Sequence, residues 1–265
     1  MKKVYNIFLI NTDNVGDKKL SPGDYFDFPV EVEKLCIHDC FDLSLNLSES
    51  FIIFGGGGLI HSPHPDYDHG RIRYLEDLCK LSPNMVSWGV GHNIHQANEI
   101  NYTDYFINSF KLHGVRDYDQ EILSWVPCVS CMHEVFDRKY DIRRTYSVTG
   151  HDFQRTPSLD KLPKMSPSGA NFEDYIEFLA TGEYVVTNAY HGAYWGALLG
   201  KKVVIFEPFS SKHFCMFDNI VVADPESWQD SLDLAEPDDS LLELSRLRSI
   251  QHYEDVCALM EEYLG

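Results

Sequence analysis

Short apolar runs alternate along this chain with stretches of helical periodicity, and that alternation predicts parallel βαβ units. Runs at Val4–Ile10, Leu35–His38 and Phe51–Phe54 predict three strands. Ile72, Leu75, Leu78 and Cys79 share one face of a helix predicted over Arg71–Leu81. Met85–Val90 predicts the next strand, Asn101–Phe110 a helix, Leu112–Val115 a strand and Asp119–Trp125 a short helix. The rhythm breaks over Asp137–Pro167, which carries Arg138, Lys139, Arg143, Arg144, Arg155, Pro157, Pro163 and Pro167 around one strand, Tyr146–Thr149. It resumes with helix Phe172–Thr181, strand Tyr184–Thr187, helix Gly192–Leu199 and strand Lys202–Phe206. Strand Ile220–Val222 and helices Ser240–Ile250 and Tyr253–Tyr263 complete it. The expectation is an α/β fold of two Rossmann-like domains with parallel sheets flanked by helices. The composition shift near Asp137–Arg144 divides it into residues 1–140 and 141–265.

With 265 residues, 44% of them hydrophobic, both halves can bury a core. Charge narrows the partners. Forty-one acidic against 22 basic residues leave a net charge of −19. Such a surface repels phosphate backbones and anionic lipid, so nucleic acid and membrane surfaces are not expected partners. A small anion must be held by local cations or helix N-termini. Seven irregularly spaced cysteines in a chain of this size read as buried thiols in a reducing compartment, which suggests a cytoplasmic location. The run after Met1-Lys2-Lys3 contains Asn6 and lacks a small-residue cleavage site, so it reads as a buried strand rather than a signal peptide. No apolar stretch approaches the roughly 20 residues of a membrane span, and no membrane insertion is expected.

Candidate chemistry gathers where predicted strands end, the edge at which open α/β sheets bind ligands. Asn14-Val15-Gly16-Asp17 follows the first strand, and Asp17 is either a general base or a helix cap. Gly55-Gly56-Gly57-Gly58 follows the third, where glycine permits a sharp turn or close approach to a ligand. Trp88-Gly89-Val90-Gly91-His92-Asn93 ends the next, where His92 and Asn93 reach into a cleft, unless the lone histidine is only incidental there. Gly114-Val115-Arg116-Asp117 places Arg116 to fork onto a carboxylate or phosphate, unless it only pairs with Asp117 at the surface. Thr187-Asn188-Ala189-Tyr190-His191-Gly192 opens a helix, whose N-terminal amides attract anions and where His191 either contacts phosphate, shuttles a proton or merely caps. Cys128, Cys131 and His133 lack a fourth ligand, so no metal is expected there. No GxSxG, HExxH or GxxxxGK[ST] motif occurs.

The order of these segments, with Lys212 after a later strand, resembles the polysaccharide pyruvyl transferase family over roughly residues 4–220. The block from Tyr184 to Phe206, with His191-Gly192 and Ala197-Leu198-Leu199-Gly200-Lys201, carries most of the resemblance. The resemblance implies a two-domain architecture of the GT-B type. It also implies transfer of a pyruvyl group from phosphoenolpyruvate to two sugar hydroxyls as a ketal, in exopolysaccharide or cell-surface glycan synthesis, with no other cofactor. It assigns Arg116 to the donor's anionic groups and His191 to donor contact or general acid; the ketal route also needs a base, for which a carboxylate such as Asp17 is the candidate. Gly56, Gly57, Gly58, Gly91, His92, Asn93, Asn188, Tyr190, Gly192 and Lys212 would line the substrate site. Partners would be an anionic donor and a glycan acceptor, with a homo-oligomer an open option. Family members usually carry an arginine two residues before the histidine, where this chain has Ala189; Lys212, Arg155 or Lys201 would substitute. Two other readings stand beside it. One is a nucleotide-sugar glycosyltransferase using Glu207 on a ribose. The other is a non-catalytic relative serving as a binding subunit.

Overall fold

A computed structural model describes residues 2–10, 12–40, 45–60, 77–95, 102, 104–118, 123–151 and 156–265. Two larger parallel sheets organise it. Strands β1 (Val4–Phe8), β2 (Val32–Cys36), β3 (Phe51–Phe54) and β5 (Asn84–Ser87) form the first, in the order β2-β1-β3-β5. Strands β4 (Gly57–Ile60) and β6 (Val90–His92) pair in parallel as a small separate sheet. The second large sheet has the order β11-β10-β9-β7-β8, from β7 (Arg144–Thr149), β8 (Lys164–Met165), β9 (Gly182–Thr187), β10 (Lys202–Phe206) and β11 (Val221–Ala223). Helices α1 (Asp104–Ile107), α2 (Phe172–Ala180), α3 (Tyr190–Leu198) and α4 (Leu241–Leu264) accompany the sheets.

Alternation along each strand explains the layers. Val4, Phe51, Ile53 and Val86 point to one face of the first sheet, where they meet Val256 and Met260 of α4. Tyr5, Ile7, Ile52, Phe54 and Met85 point to the other, against Phe106 and Phe110. In the second sheet Val185, Val203 and Ile205 pack on α2 and α3, and Val148, Val186, Val204 and Phe206 on Leu159 and Trp228. Both faces are covered, as parallel sheets require. Every residue of α3 is buried, so this helix has no polar face. Asn171 caps α2, its side chain accepting from the amides of Glu173 and Asp174.

Several expected elements came out differently. β2 begins three residues earlier than Leu35 because it is an edge strand, whose half-exposed Val32-Glu33-Lys34 is not an apolar run. The expected strand Met85–Val90 divides at Gly89, which has φ +58°, and Val90 starts β6 in the small sheet. Leu112–Val115 is not a strand but an extended segment touching Val86 and Val90 through single bridges. The two expected C-terminal helices are one. Its buried stripe runs through Ser245, Ser249 and His252, which a search for apolar periodicity misses. Most of the expected helix Arg71–Leu81, residues 119–122 of the helix Asp119–Trp125, and Arg155 lie outside the described residues. All seven cysteines are free thiols, six of them buried.

Candidate active site

The carboxyl ends of the first sheet's strands face residues from the second across a cavity of about 520 Å³, a size suited to a small ligand and part of a larger one. Asp17, Gly56, Gly57, Gly58, Asn93 and Arg116 reach it from one side, and Tyr190, His191 and Lys212 from the other. Segments distant in sequence are tied together around it. Val15 N–H donates to the Pro167 carbonyl and Gly169 N–H to that of Asp13. Ser210 Oγ donates to Asn93 Oδ1, and the backbones of Ile94 and Ser211 are joined by the Ser211 N–H to Ile94 carbonyl bond. The turn that carries Lys212 is thereby fastened to the segment after β6.

Arg116 is only 3% exposed, and the Val115–Asp117 segment is interior rather than a surface pair. Its guanidinium lies 3.7 Å from the centre of the Tyr190 ring, and its Nε has no hydrogen-bond partner among the described residues. Asp117 turns away from it: one oxygen accepts from the His92 amide (2.9 Å), pairs with His92 Nδ1 (2.9 Å) and accepts from Tyr102 Oη (2.6 Å).

Asp17 does not cap a helix. It opens a short turn, Asp17–Lys19, whose cap position is Gly16. Burial raises its carboxyl above the usual range, and the positive charges of Arg116 and Lys212 oppose that rise. Burial and the repulsion of Arg116 push Lys212 down to about 8, while Asp17 pulls the other way. Lys212 Nζ rests 4.8 Å over the Phe209 ring. His191 is buried, with Nε2 unpartnered among the described residues. Burial first, then Arg116 and Lys212, hold its pKa well below the ordinary value, so the imidazole is neutral at pH 7. The arrangement is thus two cations, one carboxylate and one neutral imidazole around a partly apolar hollow.

Gly91, His92, Asn188 and Gly192, expected on the cavity wall, do not line it. Gly91 makes room, because a Cβ there would come within 2.7 Å of Arg116 Cγ and Nε. His92 supports Asp117 from the interior. Asn188 grips the backbone of His151, accepting from its amide and donating to its carbonyl. Gly192 lets α3 close on β7 and β9, since a Cβ would meet Thr187 Oγ1 at 2.5 Å. Lys201 and Glu207 do not line the cavity, and Ala189 does. His38 and His151 also line it and escaped the sequence reading. His38 had a signal, two residues past the end of β2, but that strand's register was misplaced. Gly16 has a sharper role than expected: a Cβ there would lie 2.0 Å from His191 Nδ1, so this glycine admits the histidine from the other sheet.

Cys128 Sγ contacts Ser130 Oγ, Cys131 Sγ contacts Ser249 Oγ, and His133 caps the turn Glu134–Asp137 by accepting from the Val135 amide. No helix among the described residues is long and apolar enough to cross a membrane.

Residues 2–122 match the model of the polysaccharide pyruvyl transferase family. The matched stretch includes Asp17, Gly56–Gly58, Asn93 and Arg116, and it ends before the block Tyr184–Phe206 through which the resemblance was read. No curated protein matches the chain. A solved structure of an uncharacterized protein from Klebsiella pneumoniae subsp. pneumoniae is similar at 15% identity and a TM-score of 0.45, covering 77% of this chain and 83% of that one.

Proposed function

We propose that this chain, whose residues 2–122 match the polysaccharide pyruvyl transferase model, is a pyruvyltransferase that takes phosphoenolpyruvate as donor and a glycan as acceptor. The observation that carries the reading is the convergence of Arg116 and Lys212 on one cavity, in a chain whose net charge is −19. Arg116 is buried and Lys212 partly buried, with Asp17 as the one carboxylate beside them, so a bound anion would offset the remaining desolvated charge. A donor with a carboxylate and a phosphate supplies two anionic groups for the two cations. In this reading Lys212 does the work of the arginine that Ala189 replaces.

Ketal formation needs a proton for the donor's methylene carbon, a base for each attacking hydroxyl and stabilisation of the departing phosphate. Arg116 and Lys212 hold the anion. In this reading His191 acts as the acid once the donor is in place: burial lowers its pKa most, and the donor's charge offsets the further lowering by Arg116 and Lys212. Asp17, with its raised carboxyl, is the base. The two sheets correspond in this reading to two Rossmann-like domains of a GT-B-like enzyme, meeting near residue 140. The acceptor would be an exopolysaccharide or cell-surface glycan.

Calorimetry with phosphoenolpyruvate, and phosphate release with glycan acceptors, test the proposal. Arg116→Ala is expected to weaken donor binding from about tenfold to over a hundredfold, the worth of a charge-assisted contact. His191→Ala is expected to lower turnover by about 10²–10⁴ with a smaller change in donor affinity. Wild-type affinity and turnover in both variants would overturn the assignment.

A further inference from the structure

We infer that Tyr190 is a positioning residue that acts through Arg116, its ring holding the guanidinium in place so that the anion site is set before any ligand arrives. The inference rests on Arg116 as an anion ligand, not on the identity of the donor.

Arg116 arrives from the segment after β6 and Tyr190 from the first turn of α3, so the stack joins side chains from opposite walls of the cavity. At 3.7 Å from ring centre to guanidinium carbon the guanidinium and the ring are in contact. Backbone closes in on the other sides. A Cβ on Gly91 would come 2.7 Å from Arg116 Cγ and Nε, and one on Gly58 would come 3.0 Å from Nη2. No carboxylate among the described residues forms an ion pair with the guanidinium, and His92 and Tyr102 both bind the same oxygen of Asp117, Oδ2. The Tyr190 ring is the contact that holds the guanidinium from the opposite wall. The Tyr190 ring is itself wedged, edge-on to His191 at 5.4 Å and nearly parallel to Tyr194 at 6.1 Å. A free arginine loses side-chain freedom when it binds an anion; one already stacked loses less, and the difference adds to affinity. Guanidinium over a ring is also attracted by the ring's quadrupole.

Two chemically different substitutions separate this role from direct ligand contact by the hydroxyl. Tyr190→Phe keeps the ring, and Tyr190→Leu removes it. Dissociation constants for phosphoenolpyruvate and for inorganic phosphate would be measured by calorimetry. Tyr190→Phe is expected to stay within about threefold of wild type, and Tyr190→Leu to weaken both ligands by roughly 5- to 30-fold. In an Arg116→Ala background, adding Tyr190→Leu is expected to cause no further loss, which a general structural effect would not reproduce. The idea is overturned if Tyr190→Phe is as damaging as Tyr190→Leu, if Tyr190→Leu is harmless, or if the two changes add. Should Tyr190→Leu not fold, the Nε–H resonance of Arg116 in arginine-labelled wild type and Tyr190→Phe decides. A ring-current upfield shift in both supports the stack, and its absence in wild type overturns it. Wild-type protein that binds phosphate but not phosphoenolpyruvate overturns the donor reading alone; protein that binds neither overturns both.

Discussion

Lys212 is poised to change charge close to neutral pH, and this gives the site a pH signature. Burial and Arg116 bring it from an ordinary lysine value to about 8. Below that pH it is charged and attracts an anion; above it the charge is lost. A bound anion favours the charged form, so it restores the pKa upward and binding takes up a proton on the alkaline side of about 8. Phosphoenolpyruvate affinity is accordingly expected to fall as pH rises through about 8, with proton uptake visible as buffer-dependent calorimetric heat. Lys212→Met should remove both effects. Gly16 makes the second residue-scale prediction. With its Cβ only 2.0 Å from His191 Nδ1, an alanine there must displace the imidazole. Gly16→Ala is expected to cut turnover by about 10²-fold, the scale of a 1 Å misplacement, with His191 absent from its position in a crystal structure of the variant.

Among the elements, α4 shows how burial rather than hydrophobic pattern defines a helix. Its stripe of Leu241, Ser245, Ser249, His252, Val256 and Met260 repeats at three- and four-residue intervals and lies against the first sheet, the turn Val129–Met132 and α3. His252 accounts for its polar atom by a bond from Nε2 to the Ser87 carbonyl, and Tyr263 donates to the Glu49 carbonyl. The apolar end contributes most. Met260, fully buried on the first sheet, is expected to cost about 2–5 kcal/mol when changed to alanine. Leu247, 61% exposed on the same helix, is expected to cost less than about 0.5 kcal/mol. Urea denaturation of the two variants checks the contrast.

At the scale of the whole molecule, the chain's last helix covers a sheet built from its first 87 residues. Removing residues 241–265 therefore uncovers Val4, Phe51, Ile53 and Val86, far away in sequence. The truncated protein is expected to bind hydrophobic dye and lose the cooperative unfolding of the full chain; a truncated protein with unchanged dye binding and melting would show that α4 is dispensable. The cavity is a whole-molecule property too. Arg116 and Asp17 come from the stretch that the family model matches, and His191 and Lys212 from beyond it.

Parallel βαβ layers were readable because strand interiors such as Phe51–Phe54 and Val203–Phe206 are uniform apolar runs, and because burial on both faces demands such runs. His191 and Asp17 could be singled out because one opens a helix and the other a turn after a strand, and Arg116 because it follows a short apolar run, Leu112–Val115, that proved to be an extended segment rather than a strand. Sequence also determined the acidic surface against which any buried cation stands out. It did not determine β2, where an edge strand is half polar, nor the continuity of α4, where serine and histidine occupy buried positions. It did not separate the residues that line the cavity from those that support them. His92 and Asn93 are neighbours with the same local pattern, yet His92 is turned inward to Asp117 while Asn93 faces the cavity. That difference depends on where Asp117 lies, 25 residues away. The same holds for Gly16 making room for His191 and Tyr190 lying under Arg116. Periodicity reports which way a side chain points from its own backbone, and only the packing of distant segments decides what it meets there.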